Sequence, residues 1–69
     1  MKDHVYKHID VTGTSDVSSD EAVKTAIAMA AKTVREMRWF EVVEMRGDID
    51  GAAIKHWQVT IRIGFTIED

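Results

Sequence analysis

From Lys55 to Ile67 the chain alternates without a break: Trp57, Val59, Ile61, Ile63, Phe65 and Ile67 against His56, Gln58, Thr60, Arg62, Gly64 and Thr66. A period of two puts the first set on an apolar face and the second on a polar one. The stretch is therefore a strand with one buried side. As the last strand of a small sheet, it would present a long row of unpaired backbone groups at an edge. It is expected to be covered or paired within an assembly.

Working back from that strand, Trp39 to Arg46 is rich in aromatic and β-branched residues and reads as its partner. Gly47-Asp48-Ile49-Asp50-Gly51, with glycine at both ends, is the expected hairpin region. Between about Ser19 and Met37, Val23, Ala26, Ile27, Ala30, Val34 and Met37 recur at helical spacing. Lys24, Thr25, Ala28, Lys32, Arg35 and Glu36 occupy the other side, with Lys32 and Glu36 spaced as an i, i+4 pair. Ser18 and Glu21 have the spacing of a capping box. Asp20 and Glu21 suit the positive end of the helix dipole, and Arg35 and Arg38 its negative end. His4 to Thr12 reads as a half-buried strand with Val5, Lys7, Ile9 and Val11 on one face, and Gly13-Thr14-Ser15-Asp16 as the turn that ends it. The expected fold is α+β: β-α-β-β, a three-stranded antiparallel sheet packed on one helix, in a single domain over 1–69.

Sixty-nine residues bury little. A chain of this size hides only about 60% of the surface its unfolded form exposes, so small folds lean on disulfides, metals or other copies of themselves. There is no cysteine, which excludes disulfides and thiolate metal sites, while hydrophobic residues make up 45% of the chain. Oligomerisation is the expectation that remains. The net charge is −3 and the basic residues are scattered, which argues against a nucleic-acid partner. No apolar run is long enough to span a bilayer and no leader pattern opens the chain, so the reading is a soluble cytoplasmic protein without a membrane partner.

Several side chains stand out. Trp39, beside Phe40, either packs the junction between helix and strand or offers a flat, electron-rich face for stacking. Trp57 heads the apolar face of the last strand and reads as a core or interface residue. Gln58 is either a solvated amide or a donor and acceptor pair for a ligand edge. Arg46 is either a strand-end charge or a partner for a phosphate or a ring. His4 and His8 would chelate on a helix, but on a strand they stand about 13 Å apart, so with His56 they read as solvated imidazoles. Glu41 and Glu44 read as solvated or inter-subunit charges. No nucleophile with its base, glycine-rich phosphate loop or paired-carboxylate motif is present.

The order and spacing of the short motifs are more specific than any one of them. Val5-Tyr6-Lys7, Val11-Thr12-Gly13-Thr14-Ser15, Arg38-Trp39-Phe40-Glu41-Val42-Val43-Glu44-Met45-Arg46-Gly47, His56-Trp57-Gln58-Val59-Thr60 and Gly64-Phe65 run nearly end to end. In this the chain resembles the dodecins, small flavin-sequestering proteins that assemble as hollow homododecamers. The resemblance implies storage of FMN or riboflavin rather than catalysis. It casts Trp39 as the residue stacked on the isoalloxazine ring, Gln58 as the contact to the ring edge, and Arg46 as a phosphate or ring partner. Flavins would lie in pairs near two-fold axes, between tryptophans of neighbouring subunits. Thr66 departs from the pattern, since some bacterial dodecins carry a basic residue after the Gly-Phe pair. That weakens any preference for the phosphorylated flavin. Two alternatives stay open: a module holding another nucleotide-containing ligand such as coenzyme A, and a histidine metal site at a symmetry axis.

Overall fold

The alternating stretch forms the middle of the sheet. The computed structural model describes residues 3–67, arranged as β1 (Tyr6–Ser15), α1 (Ser19–Ala30), β2 (Met37–Asp50) and β3 (Ala53–Thr66). The three strands form one antiparallel sheet in the order β1-β3-β2. The expected β-α-β-β architecture is therefore present, but β3 is not an edge. Both of its sides are paired, by Tyr6–Ser15 of β1 and by β2, and the exposed edges belong to those two strands. Placing the most apolar strand centrally covers its backbone within one chain, the cheapest way to protect it.

The helix lies mainly on β1 and β3. Ala22, Ala26 and Ala30 are its buried stripe, at i, i+4 and i+8, against Val59, Ile61 and Ile63 of β3. Val23 and Ile27, expected at its centre, flank this stripe, and Ala22 joins it unforeseen. Small residues let the helix come close, and at Gly13 the approach leaves no room for a side chain. A Cβ there would stand 2.0 Å from the Ala22 carbonyl oxygen. Gly13 is thus a strand residue, paired with Val59, and the turn expected at 13–16 begins only after Ser15.

The start of the helix agrees with the sequence in part. Ser18 Oγ accepts from the Glu21 amide at 3.1 Å. The Glu21 carboxylate does not return to Ser18; it pairs with Lys24 at 3.4 Å, while Ser15 Oγ accepts from the Ser18 amide. The end differs more. The helix stops at Ala30 instead of running to Met37. Thr33 and Val34 are β-branched and weak in a helix, and pairing of Met37 with Phe65 in the sheet wins. Glu36 turns the chain at φ 60° and pairs with Arg38, so the expected Lys32–Glu36 helix pair does not form. The hairpin is also tighter than expected. Asp48, Ile49 and Asp50 are strand residues, and Gly51-Ala52 alone connect Asp50 to Ala53, with Gly51 at φ 65°.

The fold is elongated, with extents of 55 × 20 × 13 Å. Its radius of gyration is 14.4 Å, against about 11 Å for a compact chain of this length. Its accessible surface is 5262 Å², against roughly 4,400 Å² for a compact monomer of its mass. Exposed large hydrophobics gather on β2, where Phe40, Val42, Val43, Met45 and Ile49 all face solvent.

Candidate functional site

Interruptions in the β2 ladder decide where its side chains point. Met37 pairs with Phe65 and Trp39 with Gly64, so Arg38 is an extra, bulged residue. In plain alternation Trp39 would share the face of Met37, on the helix side. The bulge moves it to the open face, the side of the sheet that the helix leaves uncovered. A second extra residue, Val43, separates Val42, paired with Ile61 of the helix side, from Glu44, paired with Thr60 of the open side. As a result Trp39, Glu41, Glu44 and Arg46 all join the open face, with His8, Asp10 and Thr12 of β1 and Gln58, Thr60, Arg62 and Gly64 of β3.

On that face the indole of Trp39 lies over Gly64. A Cβ built on Gly64 would stand 2.1 Å from Cε2, 2.1 Å from Cζ2 and 2.7 Å from Cδ2. Those three distances are those of a point directly above the ring plane, over the Cε2–Cζ2 bond. An edge-on approach with the same two short distances would leave Cδ2 much farther away. The indole therefore lies face-down on the glycine, and Trp39 stays 41% exposed. One flat aromatic face rests on the sheet and the other is offered outward. Across the same rung, Gly64 pairs with His8 of β1, so a glycine separates the two large side chains.

The next rung is charged. Arg62 donates to both Asp10 oxygens, from Nε at 2.9 Å and from Nη2 at 3.2 Å, and its Nη1 is 3.9 Å from Glu41. This hydrogen-bonded guanidinium holds the Asp10 carboxyl below its ordinary value, and Asp10 in turn raises Arg62. On the other side of the indole, Arg38 Nε donates to Thr66 Oγ1 at 3.2 Å and Nη2 to Glu36 at 2.6 Å. A cation thus stands beside Thr66 after all, supplied by the bulge of the neighbouring strand.

Arg46 and Gln58 are brought together. Arg46 Nε donates to Gln58 Oε1 at 2.8 Å and Nη1 to Glu44 at 2.9 Å. This engages the Gln58 carbonyl and leaves its amide N–H groups to donate elsewhere. Trp39 is not part of this cluster. Gly64, beneath the indole, and Gln58 are six positions apart on one strand, which is about 20 Å. Trp57 is on the helix side, packed against the buried core, in keeping with its reading as a packing residue. His56 sits near Asp48 at 3.6 Å, and the rings of His4 and Tyr6 are 6.4 Å apart. Among the described residues no group of three or more His, Asp or Glu side chains converges as a metal site.

Sequence reasoning named Trp39, Gln58 and Arg46 but missed two contributors. The bulge at Arg38 has no signature, since an ordinary residue fills it. Gly64 had one: it is the sole glycine on the polar face of β3, where a side chain would be expected.

A profile of the dodecin family matches residues 5–68. The chain belongs to that family. It is 43% identical over 65 residues to the dodecin of Thermus thermophilus, covering 94% of each chain. The structure of dodecin from Streptomyces coelicolor superposes with a TM-score of 0.91 at 40% identity, over 100% of this chain and 99% of that one. A more distant member, the calcium dodecin of Mycobacterium tuberculosis, is 31% identical over 61 residues, 88% of this chain and 86% of its own. The family thus agrees with the topology and runs nearly the full length of the chain.

Proposed function

We propose that this protein is a flavin-binding storage and sequestration protein of the cytoplasm, not an enzyme, working as a hollow homododecamer that holds FMN or riboflavin. The observation that carries the reading is the Trp39 indole, moved to the open face by one bulge and laid flat with its outer face exposed. A flat electron-poor tricycle stacks well on such a surface, by dispersion and by burial of both faces from water. The indole is also a good electron donor to an excited flavin, which gives the complex a route for quenching its photochemistry.

The same geometry supports assembly. A ring stacked on Trp39 cannot reach Gln58 of its own chain across about 20 Å of strand. For both to line one site, Gln58 and Arg46 must come from a neighbouring copy. The surplus surface and the exposed apolar strip on β2 give such copies something to bury. In this arrangement the free amide N–H groups of Gln58 donate to a flavin carbonyl, while Arg46 holds the amide in orientation.

Adding purified protein to riboflavin tests the reading: flavin emission should fall saturably. Unchanged emission, with coenzyme A or calcium ions binding instead, would move the site to one of the other ligand classes.

A further inference from the structure

We infer that Gly64 is a positioning residue of the ligand site: it is the floor on which the Trp39 indole lies, and its missing side chain sets the plane in which the indole faces a ligand. The inference rests on Trp39 being the stacking residue, and it adds a residue that touches no ligand itself.

Gly64 is buried, on a strand paired along both sides, and its φ is not in the left-handed region. Backbone conformation therefore does not call for glycine. Space does. A methyl group would stand 2.1 Å from two ring carbons of Trp39, well inside contact distance, and directly above the ring plane. The backbone beneath cannot yield, because Gly64 pairs with His8 on one side and Trp39 on the other. The indole must then lift or swing. Lifting moves its outer face away from the sheet and towards the space a stacked ligand would fill. Swinging replaces that outer face with a ring edge. Neither leaves the flat platform intact.

The test separates this role from a merely structural one. In a Trp57→Phe background Trp39 is the sole indole, and Gly64→Ala should shift its emission while assembly mass and far-UV circular dichroism are kept. Riboflavin affinity should fall about ten- to a hundredfold, the scale of one lost stacking contact. Should Gly64→Ala fail to assemble, Gly64→Ala on a Trp39→Ala chain decides. With no indole above it the methyl has room, so the double variant should assemble and melt as Trp39→Ala does. A double variant as destabilised as Gly64→Ala alone would overturn the proposal, as would unchanged indole emission in an assembled Gly64→Ala protein. These readouts need no flavin. A shifted emission without any riboflavin binding in the parent would instead remove the stacking role and leave the floor.

Discussion

Replacing Trp39 by phenylalanine should separate the two things its ring does. The inner face is already spent on Gly64, so only the exposed 41% is available to a ligand. An aromatic of this class buries about 150–250 Å², which makes the available area about 60–100 Å². At about 25 cal/mol per Å² that is about 1.5–2.5 kcal/mol, or roughly ten- to seventyfold in Kd, for complete loss of the ring. Trp39→Ala should lose that much, and Trp39→Phe less, because a flat ring remains. Quenching should behave differently. Phenylalanine is a far poorer electron donor than indole, so flavin bound to Trp39→Phe should recover much of its excited-state lifetime. Trp57→Phe is the control: its ring lies on the helix side against the core, so it should alter stability and not lifetime. The assay is time-resolved flavin fluorescence at saturating protein. A Trp39→Phe protein as strongly quenched as the parent, beside a brighter Trp57→Phe, would refute the assignment.

Gln58→Ala should weaken riboflavin binding by about 1–2 kcal/mol, the scale of a lost hydrogen bond with an unpaired partner, and leave the assembly intact; equal affinity in a titration would make Gln58 a surface residue. Ile49, 79% exposed near the hairpin tip, should matter to assembly and not to the fold. Ile49→Lys should lower the mass seen by light scattering with circular dichroism unchanged, and a full-sized assembly would exclude the tip from the contacts between copies. The Asp10 carboxyl is held below its ordinary value by Arg62, so its contribution to stability is present above the unfolded pKa of about 4 and is lost as pH falls through the lower, folded one. Carboxyl-detected NMR should place its titration below that of a free aspartate, and Arg62→Gln should move it back up. An Asp10 midpoint indifferent to that change would show that the pair does not form in solution.

The parts of this fold that could be read from sequence are those governed by local periodicity. Strict alternation marked β3 and its faces, and Ser18 marked the start of the helix. What could not be read depends on pairing. The central place of β3 follows from which strands find it, and nothing in its own residues distinguishes a covered edge from a middle strand. The helix ends early because Met37 is worth more opposite Phe65 than as a further helical turn. For the site, residue types left Trp39, Gln58 and Arg46 open between packing or solvated roles and binding ones, and it was the family resemblance that chose binding. Their shared face was hidden, because each extra residue at Arg38 and Val43 reverses the parity of everything after it. Counting by twos from Met37 puts Trp39 on the wrong side of the sheet.

Native mass spectrometry of the protein mixed with riboflavin measures assembly and flavin binding at once. The chain weighs 7.8 kDa, so twelve copies weigh about 94 kDa (12 × 7.8). The expected species is closed and of that size, its mass rising by whole riboflavin increments, with fewer increments on Trp39→Ala at the same riboflavin concentration. A monomer or dimer at micromolar concentration, or a full-sized assembly that takes up no riboflavin, would contradict it.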